Sequence, residues 1–430
     1  MEGMNPRNRI YASLTTLVLV AGACGGTTAP AASSPKPSLT PVPSFELWVA
    51  DQGETSPAGG GTLLIYRGED LAKADPKPSY TVNLAEAGLG VGDGVGKHPH
   101  SIAFNPTLTH AVISYVTSGH VQVVRVADRK VVASFKFAGT PAGPAQAHAS
   151  AVTPANDTII VANQGAKRLQ RIRADFTNDK YSLDPAGDLD LAAIEDADHT
   201  GNLPVIPVFS RDGKFMYVPQ RGGGSYAIEA TATPMKVVGT VGKSAIGSQQ
   251  CCATFVGDAV WTTAQGGPTS TTTSFNLYKV TGLPNTPSAK KILSRTGNVE
   301  SHGVLPVGKY LWVVDRFANT LDIFDTSGEA TEPVRSMSLA SGPLAGRDPA
   351  PDIMDISPDG KTVFLTLRGK APVTSNIKDL NNAVGDIGGF AILAVKDDGR
   401  DAAVSSFVAL PLSAGASVVD PHGLRVRVVK

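Results

Sequence analysis

Short apolar runs separated by polar turns recur along most of the chain. The clearest copy spans residues 352–368, where two alternating runs flank Ser357-Pro-Asp-Gly360. Such a turn between β-forming residues is typical of a hairpin. The frame starts at six positions about 50 residues apart: His100, His148, Val205, Cys251, His302 and Asp352. Several copies continue into a third and a fourth strand, and four short strands per repeat indicate the blade of a β-propeller.

The two chain ends complement each other. Residues 46–51 resemble a second strand without a first, and residues 420–430 resemble a first strand with nothing after it. The sequence therefore predicts an all-β, seven-bladed β-propeller that closes when its C-terminal strand joins the N-terminal blade, which removes an exposed sheet edge. Residues 179–202, 266–275 and 370–388 are predicted insertions.

The N-terminus has the features of a targeting segment. Arg7 and Arg9 precede an apolar run over residues 14–23, which is too short to span a bilayer and ends in small residues before Cys24. We expect residues 1–23 to be a signal peptide, 24–44 a flexible Ala/Pro/Ser/Thr-rich tether, and 45–430 the propeller. The segment before Cys24 resembles a bacterial lipobox, which implies a lipoprotein held to the bilayer outside the cytoplasm, in the periplasm or at the cell surface. An ordinary signal peptide with a chance cysteine is the alternative.

Composition excludes some classes of function. Lys+Arg and Asp+Glu are both 38, so the formal charge is zero, which argues against nucleic-acid binding. The sequence has neither a P-loop nor a Gly-x-Ser-x-Gly motif, so an NTPase or an α/β-hydrolase has no support. Besides Cys24, the only cysteines are the adjacent pair Cys251 and Cys252. They are predicted to form a vicinal disulfide, remain thiols or bind metal.

The opening residues of the repeats carry the candidate metal chemistry. The first strands of a propeller line its channel, which brings together His422, His100, His148, Val205, Cys251, His302 and Asp352. Imidazole and thiolate suit copper or zinc, so these residues predict a metal site, with His422, His100 and His148 as the adjacent triad. An equally open interpretation is that these histidines, arranged around the channel, bind no metal and only form hydrogen bonds between blades or to water in the channel.

A second set of residues follows the second strands, at the same end of the channel. Its members are Gln52, Ser118, Gln164, Arg221, Gln265, Arg316 and Arg368. Arginine and glutamine donors suit a small anionic or polar ligand, although each side chain could instead cap its own loop. Glu300, two residues before His302, could supply a carboxylate at the same mouth, although a lone glutamate in a loop is expected to be solvated. His98, His110, His120 and His199 are expected on the surface, with a second ligand from the loop of His100 as the alternative role for His98.

Three short sequence motifs, at residues 98–104, 356–360 and 420–424, resemble those of YVTN-type seven-bladed propellers. Proteins of this type include the propeller domains of nitrous oxide reductase and lactonase-like proteins. Residues 146–148 and 162–168 resemble lactonase-type propellers of the 6-phosphogluconolactonase group. The resemblance implies the fold more strongly than a function.

Three functions are left open. The first is a propeller that binds a metal ion or small anion at the channel mouth without catalytic machinery. The second is a lactonase-like hydrolase or isomerase, in which His148 or His302 is the general base and Arg221, Arg316 or Arg368 holds a substrate carboxylate. The third is a platform that binds protein partners on its rim.

Overall fold

The computed structural model describes residues 43–266, 273–374, 376–377 and 381–429. The predicted signal peptide, Cys24 and nearly all of the predicted tether lie outside these residues. Within the described part of the chain, no helix is long and apolar enough to cross a membrane.

Short strands dominate the described residues, which contain two α-helices of four residues each. The N-terminal strands are β1 (Phe45–Asp51), β2 (Thr62–Arg67) and β3 (Tyr80–Asn83). Blade 1 contains β4 (Pro99–Phe104), β5 (His110–Tyr115), β6 (His120–Arg125) and β7 (Lys130–Lys136). Blade 2 contains β8 (Ala147–Val152), β9 (Thr158–Asn163), β10 (Arg168–Asp175), β11 (Lys180–Leu183) and the short β12 (Leu189–Asp190). Blade 3 contains β13 (Val208–Phe209), β14 (Met216–Pro219), β15 (Ser225–Glu229) and β16 (Lys236–Val241).

The remaining blades follow the same order. Blade 4 contains β17 (Ser248–Val256), β18 (Ala259–Gly266), β19 (Ser274–Thr281) and β20 (Ser288–Thr296). Blade 5 contains β21 (Ser301–Val307), β22 (Tyr310–Asp315), β23 (Thr320–Asp325) and β24 (Arg335–Ser338). Blade 6 contains β25 (Pro351–Ile356), β26 (Thr362–Arg368), β29 (Gly388–Lys396) and β30 (Asp401–Ala409), with a ribbon of β27 (Asn376–Ile377) and β28 (Asn381–Asn382). The last strand is β31 (Pro421–Val428), and the helices are α1 (Leu84–Ala87) and α2 (Lys243–Ile246).

Blade 7 is built from both ends of the chain. Strand β31 pairs antiparallel with β1, from Phe45 opposite Val428 to Asp51 opposite Pro421. The sheet order is β3-β2-β1-β31, so the C-terminal strand is the innermost strand of the N-terminal blade. This confirms the predicted seven-bladed ring and its mode of closure.

The core lies between the blades. Each of the seven apolar clusters among the described residues joins two neighbouring sheets. Trp312 of blade 5 packs with Leu365 of blade 6, for example, and Trp48 of blade 7 packs with Ile113 of blade 1. The second strands are covered on both faces, which explains why β5 and β22 are buried throughout instead of alternating.

Two details differ from the sequence prediction. The first strand of blade 3 is reduced to β13, because Pro204 and Pro207 have no N–H group to give to a ladder. The region 179–202 is not wholly an insertion, because β11 and β12 within it complete blade 2 against β10. The insertion at 370–388 carries the β27–β28 ribbon. Of the insertion predicted at 266–275, residues 267–272 lie outside the described residues.

Candidate metal centre

The inner strands carry a bulge at the repeat position. His100 is the extra residue between the pairs Pro99–Tyr115 and Ser101–Ser114. Similar register shifts occur around His148, Cys251, His302, Asp352 and His422. A bulge bends the strand and re-aims a side chain. The predicted ring residues are therefore turned toward one another by a repeated irregularity, and Val205, just before β13, is the exception.

Three histidines pack closely around the channel. The ring of His100 stacks on that of His422, with centroids 3.7 Å apart, and lies edge-on to that of His148 at 4.6 Å. His148 Nδ1 donates to the carbonyl oxygen of Val205 (3.0 Å), and His422 Nδ1 donates to the carbonyl oxygen of His100 (2.6 Å). The structure thus brings the predicted triad together. Because Nδ1 carries the proton in His148 and His422, Nε2 of each is an electron-pair donor.

The tautomer of His100 follows from its neighbour. Gln52 Nε2 donates to Asp420 Oδ2 (2.9 Å), which turns Gln52 Oε1 toward His100 Nδ1 at 3.0 Å. His100 therefore carries its proton on Nδ1, and its buried Nε2 has no hydrogen-bond partner among the described residues. Gln52, predicted as a ligand residue, instead orients a ring histidine.

Burial keeps these three imidazoles neutral. It is the largest cause that lowers the pKa of His148 to about 4 and that of His422 to about 3. It also lowers the pKa of His100 well below its usual value. A neutral imidazole with a fixed Nδ1–H is the form that coordinates metal ions.

A second group lies where blades 4 and 5 meet. Cys251 Sγ is 3.0 Å from His302 Nε2 and 3.5 Å from Cys252 Sγ. Cys252 Sγ is 4.0 Å from His302 Nδ1. Both cysteines are free thiols, so of the three predicted states the structure has no vicinal disulfide. On its other side, His302 Nδ1 donates to Asp352 Oδ1.

Cys251, His302 and Asp352 form a row of side chains whose charges stabilise one another. Burial opposes protonation of His302, but the charges of Asp352 and Cys251 outweigh it and raise its pKa to about 9. A hydrogen bond from Cys252, aided by the charge on His302, holds the pKa of the Cys251 thiol well below its usual value despite burial. The row thus favours a thiolate, an imidazolium and a carboxylate, a combination that can bind a metal ion or serve as an activated nucleophile.

Asp352 also connects the two groups. Its Oδ2 lies 3.6 Å from His422 Nε2, which is an electron-pair donor because Nδ1 carries the proton. Two electron-pair donors that face each other are stabilised by a proton or a cation between them. His302, Asp352 and His422 accordingly form one of two clusters whose donor atoms all lie within 4.8 Å of one another, among the residues described.

Two predicted ligand arginines hold carboxylates of the chain itself. Arg368 donates to Asp352 (2.6 Å) and Asp420 (2.6 Å), and Arg316 donates to Glu300 (2.5 Å) and Asp352 (3.3 Å). Both guanidinium groups are fully buried. They fix the position of Asp352, and Glu300 is buried, so the expectation that it is solvated was wrong.

The other members of the second set differ in their surroundings. Ser118 accepts a backbone N–H of its own blade (2.8 Å), and Gln164 donates to a backbone carbonyl of the next blade (3.4 Å). Arg221 is half-buried, and its side chain makes no ion pair within the described part of the chain. Gln265 is buried, with neither carboxamide atom hydrogen-bonded to a described residue.

The histidines away from the ring are structural. His110, His120 and His199 are buried, so their expected surface positions were wrong. His110 Nε2 is 2.8 Å from Asp179 Oδ1, and the ring of His199 stacks on that of Tyr226 at 5.2 Å. His110 and His120 begin β5 and β6, and His199 lies in the segment before β13. Their contacts with Asp179, Asp93 and Tyr226 come from other parts of the chain, which the strand pattern does not specify.

Comparison with known proteins supports the fold. No protein-family model matches the sequence, and no curated protein matches it. A solved structure of a hypothetical selenium-binding protein from Sulfolobus tokodaii aligns with a TM-score of 0.66 and 11% identity, over 90% of this chain and 94% of that one. A periplasmic gluconolactonase from Pseudomonas aeruginosa aligns with a TM-score of 0.56 and 15% identity, over 90% and 100%.

A third solved structure, of a Lactobacillus plantarum protein, has a TM-score of 0.59 and 11% identity, over 89% of this chain and 99% of that one. Likeness at such identities extends to the fold alone. Membership of the YVTN-type family, lactonase-like activity and a partner on the rim therefore stay predictions. The chain is a seven-bladed β-propeller with lactonase-like and selenium-binding propellers among its structural neighbours.

Proposed function

We propose that the channel mouth binds one copper or zinc ion through Cys251, Cys252 and His302. The observation that supports this proposal is the convergence of their donor atoms, which all lie within 4.8 Å of one another. Around a tetrahedral zinc ion with bonds of about 2.0–2.3 Å, neighbouring donors lie about 3.3–3.8 Å apart. The separations of Cys251 Sγ from His302 Nε2 (3.0 Å) and from Cys252 Sγ (3.5 Å) need only small adjustments.

The surroundings suit such an ion. With His302 Nε2 bound to metal, its Nδ1–H still donates to Asp352, which gives the carboxylate–histidine–metal arrangement that orients a ligand and raises its basicity. Arg316 and Arg368 hold that carboxylate in turn. Two thiolates and an imidazole favour Cu(I) or Zn(II) over hard cations such as Mg²⁺.

The neighbouring histidines supply further donors. His100 Nε2 is buried without a hydrogen-bond partner among the described residues, and His422 Nε2 faces Asp352. The second cluster, His302, Asp352 and His422, shares His302 with the first. An ion centred there would depend on His422, whereas an ion at the thiols would depend on Cys251, so single variants distinguish the two positions.

Metal titration tests the proposal. Full-length protein carrying Cys24→Ser, reduced and stripped with EDTA, is titrated with Zn(II) or, without oxygen, with Cu(I) against a competing chelator. We expect one ion per chain, and loss of at least about tenfold in affinity in Cys251→Ser and in His302→Ala. Co(II) should give thiolate-to-metal charge-transfer absorption that weakens in Cys251→Ser, which retains one thiolate, and disappears when both cysteines are replaced by serine.

His98→Ala is the matched control, because His98 Nε2 pairs with Glu54 (3.1 Å) away from the thiols. Its affinity should equal that of the parent. Absent stoichiometric uptake, or uptake unaffected by Cys251→Ser, would refute a thiol-ligated ion. Uptake lost only in His422→Ala would move the ion to the second cluster.

We propose further that the propeller is held to a bilayer by lipid on Cys24, outside the cytoplasm. The apolar run and small residues before this cysteine support the proposal. Metabolic labelling with a fatty acid should mark the parent chain and leave Cys24→Ser unlabelled and in the soluble fraction. A labelled Cys24→Ser variant would refute the anchor.

A further inference from the structure

We propose that Cys251 and Cys252 form a redox pair that reduces small hydroperoxides, with Cys251 as the attacking sulfur and Cys252 as the resolving sulfur. This activity belongs to the metal-free site and goes beyond the proposed metal binding.

The bulge in β17 makes the pair possible. Adjacent side chains of a regular strand point to opposite faces of the sheet. In β17 the register shifts between Gln250 and Ala253, so the two cysteines between them oppose a single residue, Thr263. Both thiols consequently reach the same imidazole, and their sulfurs lie 3.5 Å apart. A resolving thiol at that separation can react without any rearrangement of the blades.

The imidazole completes the chemistry. His302 Nε2 is 3.0 Å from Cys251 Sγ, and its Nδ1 is held by Asp352. In the first step the Cys251 thiolate attacks one oxygen of ROOH and the O–O bond breaks. The leaving RO⁻ takes the proton from His302 Nε2, which yields a sulfenic acid and ROH. Such a nucleophile, base and orienting carboxylate is a recurrent arrangement for thiol reactivity.

The second step uses the neighbouring cysteine. Cys252 attacks the Cys251 sulfur, the S–O bond breaks, and the departing hydroxide leaves as water with the Cys252 thiol proton. In sum, two thiols and ROOH give a disulfide, ROH and water: the thiols lose two electrons and the peroxide gains them. Neighbouring Cα atoms are about 3.8 Å apart, shorter than the usual span of a disulfide, so this bond is strained and readily reduced by a small dithiol.

The cavity beside the thiols limits the substrate. It holds about 60 Å³ and is lined by both cysteines, by the histidines of the ring and by apolar side chains that include Ile102, Ile353 and Leu424. That space accommodates only a few water-sized groups. Hydrogen peroxide and the smallest alkyl hydroperoxides fit it, whereas an aryl hydroperoxide does not.

The test measures thiols and mass in the full chain carrying Cys24→Ser, reduced and kept in EDTA. One equivalent of hydrogen peroxide should remove both thiols, with a mass loss of two hydrogens, at least about tenfold faster than it oxidises glutathione. Cumene hydroperoxide should react at least about tenfold more slowly than hydrogen peroxide. Dithiothreitol should restore both thiols.

Two conservative variants separate the roles. Cys252→Ser should stop at the sulfenic acid, with a gain of one oxygen trapped by dimedone on residue 251, and Cys251→Ser should react no faster than glutathione. Failure of the parent to lose two hydrogens, equal rates for both hydroperoxides, or a fast Cys251→Ser variant would each overturn the proposal. Because EDTA is present, failed metal uptake with an intact peroxide reaction would refute only the metal function.

Discussion

At the scale of single residues, the buried charged side chains differ in how well opposite charges and hydrogen bonds compensate them. Asp51 is fully buried at the closing blade, and its Oδ1 accepts the N–H groups of Asp420 (2.7 Å) and Gly53 (3.3 Å). Its Oδ2 has no partner among the described residues. Burial is the largest cause that raises the pKa of Asp51 to about 7, from an ordinary value of 3.8.

A pH-dependent stability follows from Asp51. The folded state holds this proton more tightly than the unfolded state, so the stabilisation is complete below the unfolded pKa and is lost as pH rises toward 7. Asp51→Asn keeps the accepting oxygen and removes the charge. In urea unfolding, its gain in free energy of unfolding should be small at pH 4 and on the order of a few kcal/mol at pH 8. The exposed Asp75→Asn should change nothing, and a pH-independent gain in Asp51→Asn would contradict the assignment.

Arg368 represents the opposite case, a fully buried cation with its partners in place. Arg368→Met would leave Asp420 buried without its ion-pair partner and remove one of the cations around Asp352, so the free energy of unfolding should fall by about 3–5 kcal/mol. Arg347→Met, which breaks only an exposed pair with Asp386, should cost less than about 1 kcal/mol. Equal losses in the two variants would show that the buried network is not specifically stabilising.

Residue identity alone did not predict these partners. Arg316 and Arg368 are of the residue type expected at an anion-binding site. The sequence could not show that carboxylates of the chain itself accept their hydrogen bonds, namely those of Glu300, Asp352 and Asp420. Such pairs connect segments that are far apart in the chain, and only the ring geometry places them together.

At the scale of strands, the repeat phase was predictable and the bulges were not. Each predicted opening residue except Val205 lies in an inner strand, because apolar alternation and turn spacing determine strand position. A bulge depends on which residues pair across two strands, which one strand's pattern does not specify. The sequence therefore predicted that Cys251 and His302 lie on neighbouring strands, but not that Cys252 joins them.

The bulge in β21 also depends on the glycine that follows His302. A Cβ atom on Gly303 would lie 2.2 Å from the backbone oxygen of Asp352, in the next blade. Gly303→Ala should therefore push β25 away, lower the free energy of unfolding by about 1–3 kcal/mol and weaken the contact between Asp352 and His302. Gly328→Ala, with open space around it, should be nearly neutral. Chemical denaturation checks both, and a neutral Gly303→Ala would show that the blades can separate at no cost.

At the scale of the whole molecule, the candidate site belongs to no single blade. Cys251 and Cys252 come from blade 4, His302 from blade 5 and Asp352 from blade 6. These blades are also joined by apolar side chains packed between sheets and by the ion pair between Arg316 and Asp352. A ligand held by all of them should act as a cross-link between blades and stabilise the closed ring over any state in which the blades separate.

Thermal unfolding with and without metal measures that linkage. An ion that binds only the folded ring adds about 2.7 kcal/mol at a free concentration 100-fold above its dissociation constant. The folded unit, Val42–Lys430, has about 390 residues, so its entropy of unfolding is near 0.8 kcal/mol/K and its Tm should rise by about 3 °C. The rise should increase with the logarithm of zinc concentration and persist in His98→Ala. In Cys251→Ser, whose affinity should be at least about tenfold lower, the rise at the same zinc concentration should fall to about half or less. A rise that Cys251→Ser retains in full would place the stabilising ion away from the thiols, because the linkage depends on binding to the folded ring alone.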